Sequence, residues 1–181
     1  MSLFTYKEAL QEYGSRTALL KCLDEGTLFS VRRNLYSTNR HVDPLAQVMK
    51  LYPQSIITGL TAYYLHRMTD RVPDKIDLAT KRNATRISDP EVRQHFMANK
   101  IFAVGATELD YDGLAVRVYD LESLLFYLMH YDGKLPFDLF KEVMKSYRSR
   151  SEELDFRKIQ RYAEMLPGGR RNLERIIKEV V

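Results

Sequence analysis

The sequence predicts an α+β chain in which a winged helix-turn-helix, over residues 1–40, precedes a mixed domain over residues 41–181. Three observations support this prediction. Two helical patterns joined by a glycine lie near the N-terminus, a basic hairpin pattern follows them directly, and strand and helix patterns alternate beyond. We expect the second domain to contain a small antiparallel sheet and a helical C-terminal end.

The first helix is predicted from its cap. Thr5 and Glu8 have the spacing of a capping box, in which each side chain bonds the backbone N–H of the other residue. The helix that follows runs to about Tyr13, and Gly14 supplies a tight turn.

The second helix, from Arg16 to Glu25, begins after Ser15, a favourable N-cap, and ends at Gly26. It has an apolar face and a polar face. The apolar face carries Leu19, Cys22 and Leu23, and the polar face carries Arg16, Thr17 and Lys21.

Two short apolar runs within residues 27–37 flank the basic turn Arg32, Arg33 and Asn34, which predicts a hairpin. A helix, a glycine turn, a helix and a basic hairpin together make a winged helix-turn-helix. The N-terminal residues of the second helix then face base edges in the major groove, and the arginines of the wing suit phosphates or the minor groove. The alternative is a two-helix packing element whose charges are only solvated.

A helix-turn-helix usually has a preceding helix that completes its core, and only four residues stand before Thr5. We expect either the helical pattern at residues 43–51 or a second subunit to take that place.

The second domain is expected to begin after a polar junction that ends at Pro44. Helices are predicted at 45–51 and 56–66, strands at 75–80 and 100–104, and a loop at 81–90. Asp112 and Gly113 predict a hairpin turn, from which a strand returns over 115–119. Four helices follow, at 121–130, 136–147, 155–166 and 170–181.

Composition narrows the function classes. A single cysteine, Cys22, excludes a disulfide within the chain and a zinc site built from cysteines. The formal net charge of +4 is compatible with a polyanionic partner. We expect a cytoplasmic protein with no membrane partner, because neither a signal-peptide pattern nor a membrane-spanning apolar run is found.

The motifs of catalysis and phosphate binding are missing from the sequence, so we expect a protein that is not an enzyme and has no catalytic residue, cofactor or metal. The four histidines lack metal-ligand spacing. Asp70, Asp74 and Asp77 flank a turn and a strand, where solvated carboxylates are usual. A further alternative is an enzyme that acts on nucleotides with a metal-dependent activity that requires Asp77.

Cations outnumber acids in the helical C-terminal part. They are Lys141, Lys145, Arg148, Arg150, Arg157, Lys158, Arg161, Arg170, Arg171, Arg175 and Lys178. This surface either binds nucleic acid or an acidic protein, or it is a solvated face paired with Glu152, Glu153, Glu164 and Glu174.

With these segments placed, the chain resembles the AbiEi family of antitoxins from type IV toxin–antitoxin (abortive infection) systems. Three stretches carry the resemblance, which covers nearly the whole chain. They lie at residues 5–36, from Thr5-Tyr6-Lys7-Glu8-Ala9 to Val31-Arg32-Arg33-Asn34-Leu35-Tyr36; at residues 57–73, from Ile57-Thr58-Gly59-Leu60 to Arg71-Val72-Pro73; and at residues 116–124, Val116-Arg117-Val118-Tyr119-Asp120-Leu121-Glu122-Ser123-Leu124. Asn34 stands where a glycine is common in the family.

The resemblance implies a DNA-binding autorepressor that binds its own operator and counteracts a nucleotidyltransferase-type toxin, by direct or indirect contact. It implies operator contacts from Ser15, Arg16, Thr17 and Lys21, and wing contacts from Arg32, Arg33 and Asn34. The basic C-terminal surface would serve neutralisation, operator contacts or self-association as a homodimer. The alternatives are a protein-interaction module and a lone regulator without a toxin partner.

Overall fold

The computed structural model describes residues 2–130 and 135–180. Its strands are β1 (Leu3–Thr5), β2 (Phe29–Arg32), β3 (Leu35–Ser37), β4 (Ile56–Ile57), β5 (Ile76–Lys81), β6 (Val92–Met97), β7 (Ala106–Tyr111) and β8 (Leu114–Tyr119). Its α-helices are α1 (Tyr6–Tyr13), α2 (Arg16–Asp24), α3 (Pro44–Leu51), α4 (Gly59–Leu65), α5 (Leu121–His130), α6 (Phe137–Ser149), α7 (Phe156–Met165) and α8 (Gly169–Glu179). Val181, predicted as the end of the last helix, lies outside the described residues.

The chain divides into two compact units, Met1–Gln54 and Ser55–Val181. The mixture of helices and strands confirms the α+β class. The predicted junction at residue 40 is too early, since the first unit also contains α3. In the part of the chain that the structure describes, no helix is both long and apolar enough to cross a membrane.

The first unit combines a three-stranded antiparallel sheet, in the order β1-β3-β2, with three helices. The capping box predicted at Thr5 and Glu8 is present, and Ser15 caps α2 as predicted. Ala9, Leu19 and Leu28 form a buried cluster that joins α1 and α2 to the segment before β2. The strand β1 was not predicted, because three residues are too few to show an alternating pattern.

The residues expected to form a helix at 43–51 do so as α3, which lies in the first unit. It packs against β1, and the Lys50 ammonium lies 2.8 Å from the Glu8 carboxylate. Asp43 caps α3 by accepting from two backbone N–H groups, and Pro44 begins the helix. The first unit therefore contains a helix of its own that follows the hairpin in sequence.

The second unit contains a five-stranded sheet in the order β6-β5-β4-β8-β7. The predicted antiparallel sheet is wrong, because this sheet is mixed. Two pairs, β5 with β6 and β4 with β8, are parallel, whereas β4–β5 and β7–β8 are antiparallel. An alternating pattern shows that a segment is a strand but carries no information on its direction. In this sheet, only the turn signal at Asp112 and Gly113 predicted the relative direction of two strands. The antiparallel hairpin of β7 and β8 confirms it.

The predicted strand at residues 100–104 is wrong. This segment forms consecutive turns, with Ile101, Phe102 and Val104 buried and Ala103 exposed. A short apolar run predicts that a segment is buried, but it does not distinguish a strand from a buried turn. The predicted helix at 56–66 is right only from Gly59 onward, since Ile56 and Ile57 form β4.

Helices α5 to α8 confirm the helical C-terminal end. Helix α5 lies in the core of the second unit, with Leu124, Leu125 and Leu128 fully buried. Buried tyrosines tie other helices to it. The Tyr63 hydroxyl of α4 donates to the Leu124 carbonyl, and the Tyr147 hydroxyl of α6 donates to the Leu121 carbonyl.

Candidate nucleic-acid interface

Helix α2 is held by a cap at its start and by an apolar side along its length. The Ser15 hydroxyl accepts a hydrogen bond from the Ala18 N–H at 3.1 Å, which satisfies one of the unpaired donors of the first turn. Leu19 is 2% exposed and packs with Ala9 and Leu28. The opposite side of α2 consequently faces away from the core of the first unit.

That opposite side is here called the outward face of α2. Its members are all exposed, and the spacings of three and four positions among them place them along one side of the helix. They are Arg16, Thr17, Leu20, Lys21 and Asp24. The helix residues predicted to contact DNA, Arg16, Thr17 and Lys21, lie on this face, and Ser15 is exposed at its N-terminal end.

The hairpin between β2 and β3 turns at Arg33 and Asn34, and both side chains are exposed. Asn34 has a φ of +62°, a left-handed conformation that asparagine adopts more readily than most residues. Its carbonyl accepts a hydrogen bond from the Tyr6 N–H at 3.0 Å, which ties the turn to the start of α1. Arg32, the third residue predicted for the wing, ends β2 and is half-buried.

Two arginines of this region carry unneutralised charge. Arg16 and Arg33 form no ion pair with any acid among residues 2–130 and 135–180. Lys21 lies 3.7 Å from Glu25, but both side chains are largely exposed, so the pair is weak and easily exchanged for another partner. Free guanidinium groups on an exposed surface are suited to phosphate, because their binding releases the counterions of DNA.

Two further residues lie on the outward face, Leu20 and Asp24, and neither was predicted as a site residue. Leu20 is 48% exposed although it is large and apolar. The signal was available in the sequence, because Leu20 follows Arg16 by four positions and precedes Asp24 by four. It was overlooked because leucine at a helical position is ordinarily assigned to the core.

In the second unit, the three aspartates considered as metal ligands have different surroundings. Asp77 is 2% exposed and accepts a hydrogen bond from His95 Nε2 at 2.7 Å, whereas Asp74 is exposed and accepts from Arg93 at 3.1 Å. Asp70 is exposed. Nowhere in residues 2–130 and 135–180 do three or more His, Cys, Asp or Glu side chains form a group that could hold a metal ion.

The C-terminal cations divide into paired and unpaired groups. Arg150 pairs with Glu153, Arg175 with Glu179, and Lys158 with two buried acids, Asp120 and Glu122. The exposed cations without an acidic partner in the described chain are Lys141, Lys145, Arg148, Arg157, Arg161, Arg170, Arg171 and Lys178. Among the four glutamates expected to pair with this surface, only Glu153 forms an ion pair in that part of the chain. The expected pairing with glutamates is therefore found at Glu153 only within the described residues, and most of these cations face solvent.

Comparison with models of known protein families gives no match to this chain. No curated protein matches it either.

Proposed function

We propose that this chain is a DNA-binding transcriptional autorepressor and an antitoxin of the AbiEi type, and that its first unit is a winged helix-turn-helix. The observation that carries the proposal is the outward face of α2, whose residues are all exposed and which begins with Arg16, a cation without an acidic partner in the described part of the chain. Two further features support it. Only Gly14 and Ser15 separate α1 from α2, and a hairpin with an exposed arginine follows.

In the proposed complex, α2 enters the major groove of the operator with its outward face against the bases. Arg16, Thr17 and Lys21 lie on the side of the helix that meets the duplex. Arg33, at the hairpin turn, contacts a phosphate or the minor groove and sets the orientation of the unit on the DNA. Helix α3 takes the structural place that a helix before α1 has in other helix-turn-helix domains.

The test is a binding titration of the full chain against the DNA upstream of its own gene, at several salt concentrations. We expect a specific complex whose affinity falls steeply with salt. Replacing Arg33 with alanine should weaken binding to all sequences alike and reduce the salt slope by about 1, as loss of one phosphate contact does. The matched control is Arg86→Ala, which removes an exposed arginine from a loop of the second unit.

An unchanged salt slope in the Arg33→Ala variant would remove the hairpin from the interface. The absence of any salt-sensitive specific complex would contradict the DNA-binding proposal as a whole. The cation of Arg33 is the better choice for this test than that of Arg32, because Arg32 is half-buried and has interactions within the protein.

The antitoxin part of the proposal rests on the resemblance, which extends through both units, and is supported by the exposed cations of α6, α7 and α8. We expect co-expression of this chain to restore growth to cells that express a nucleotidyltransferase encoded next to its gene. The double variant Arg16→Ala and Arg33→Ala separates two routes. If the double variant still restores growth, neutralisation does not require operator binding. If it no longer restores growth, neutralisation acts through repression.

The protein-interaction alternative is favoured by one observation, the surplus of unpaired cations on the C-terminal helices. It predicts that a chain without residues 1–54 retains its full physiological effect. A lone regulator, by contrast, binds its upstream DNA but has no neighbouring nucleotidyltransferase to neutralise. Pull-down of the toxin by the full chain distinguishes direct from indirect contact.

A further inference from the structure

The outward face of α2 is not a uniformly polar surface, although it is exposed along its whole length. Leu20 lies in its middle with 48% of its surface exposed, while its neighbour Leu19 is 2% exposed and accounts for the core contact of this turn. Arg16 lies one helical turn before Leu20, and Lys21 is beside it. A large apolar side chain is therefore held between two cations at the surface proposed to meet DNA.

Asp24 also belongs to this face, one turn after Leu20, and is exposed. A face that served only the phosphate backbone would gain nothing from a carboxylate, because phosphates repel it. Base edges in the major groove differ from phosphates in this respect. They present the amino groups of cytosine and adenine, which a carboxylate can accept from, and the 5-methyl group of thymine, which apolar side chains contact. The mixture of cation, leucine and acid therefore matches base edges better than it matches phosphates.

We propose that Leu20 is a specificity-determining residue that contacts the 5-methyl group of a thymine in the operator. This inference rests on the proposed function, since it requires α2 to lie in the major groove. Thymine is the only standard DNA base that presents a methyl group there. The charged residues around Leu20 then supply affinity and orientation, whereas Leu20 selects thymine at the position it covers.

The experiment compares two duplexes of the same upstream sequence, one with thymine and one with uracil in its place. Uracil keeps the hydrogen-bonding groups of thymine and lacks only the methyl group. We expect the full chain to bind the uracil duplex about fourfold more weakly for a single buried methyl group. Replacing thymines one at a time then locates the position that Leu20 covers.

The Leu20→Ala variant should bind both duplexes with the same affinity at that position, because its side chain no longer reaches the methyl group. Leu20→Met, which keeps an apolar side chain of similar length, should preserve most of the preference. The matched control is Phe96→Ala, which removes an apolar side chain of the same 48% exposure from β6 in the second unit. This control should keep the full preference for thymine.

The Leu20→Ala variant should keep its fold, since Leu20 is exposed and alanine favours helices. Circular dichroism checks that the helix content is unchanged. If the unmodified chain binds neither duplex, the proposed function itself fails. If it binds both equally, or if Leu20→Ala keeps the preference for thymine, DNA binding stands and this inference is overturned. A change in the oligomeric state of the free Leu20→Ala chain would instead assign Leu20 to self-association and overturn it as well.

Discussion

Two glycines of the second unit, Gly105 and Gly113, have the same φ of +79° but different surroundings. A Cβ atom at Gly105 would overlap the Ser123 hydroxyl and lie 2.7 Å from Asp120 Oδ1, whereas a Cβ at Gly113 would meet nothing within 4 Å. The backbone strain of a substitution is therefore the same at both positions. Only Gly105 adds a steric clash with the start of α5.

We expect Gly113→Ala to lower the free energy of unfolding by about 1 kcal/mol through backbone strain alone. Gly105→Ala should cost roughly 1–3 kcal/mol more, since the added methyl group also overpacks its surroundings. Urea unfolding of the two variants against the unsubstituted chain measures both effects. Equal losses would show that Ser123 and Asp120 move aside without cost.

Glu8 combines two roles in the first unit. Its carboxylate accepts from the Thr5 N–H and lies 2.8 Å from the Lys50 ammonium. The hydrogen bond from Lys50, followed by those from Thr5, lowers the pKa of Glu8 from 4.5 to about 2. Since the folded state favours the charged form, this contribution to stability is complete above pH 4.5 and is lost as the pH falls towards 2.

Glu8→Gln should therefore flatten the acid side of the stability profile between pH 4.5 and 2, where the unsubstituted chain loses stability. The effect is modest, because the Glu8 side chain is 44% exposed and solvent screens the pair. Carboxyl chemical shifts followed by NMR through this pH range give the titration directly. Glu12→Gln, on the same helix and exposed, is the control and should leave the titration of Glu8 unchanged.

Helix α2 depends on Ser15 at its start, and the same residue is predicted to lie near DNA. Ser15→Ala removes the cap on the Ala18 N–H and should lower stability by about 1 kcal/mol. Ser15→Asp keeps a capping oxygen and interacts favourably with the helix dipole, so stability should be retained. Its negative charge should nevertheless weaken binding to the upstream DNA. Unfolding and binding titrations of both variants separate these effects, and native affinity in Ser15→Asp would place the start of α2 away from the duplex.

Elements with chemically specific ends were predictable from the sequence. Two helix caps, at Thr5 and Ser15, and the hairpin turn at Asp112 and Gly113 were predicted from the local hydrogen-bonding or backbone preference of these residues. The structure contains both caps and the hairpin. Strand β6 was missed for the opposite reason. It lies at an edge of the sheet and mixes charged, polar and apolar residues, so no face of it shows an apolar alternation.

At the scale of the whole molecule, the candidate site also has features that local sequence predicts and features that only tertiary packing determines. Local spacing identified Arg16, Thr17 and Lys21 as one face of α2, because helical periodicity alone decides which residues share a side. The half-burial of Arg32 could not be read from the sequence, since burial of a strand residue depends on tertiary packing and not on local spacing. The pairing of Lys50 with Glu8, 42 residues away in sequence, could not be predicted for the same reason.

The extent of the first unit gives the last prediction. Helix α3 packs against β1, and Lys50 pairs with Glu8, so a fragment that ends at residue 40 lacks part of its own fold. Chains of this size bury little surface and are only marginally stable, which makes each packed helix decisive. We therefore expect a fragment of residues 1–54 to fold and a fragment of residues 1–40 to remain unfolded.

Amide NMR spectra of the two fragments measure this difference, with dispersed signals expected from the longer one only. A third fragment, residues 1–54 with Gln47→Pro, distinguishes the effect of helix α3 from the effect of greater chain length. Proline at this position removes the hydrogen bond from the Gln47 N–H to the Asp43 carbonyl and costs about 3 kcal/mol in a helix interior. This fragment should be unfolded like the shorter one. A folded fragment of residues 1–40 would mean that α3 is dispensable and that the folded part of the first unit ends with its hairpin.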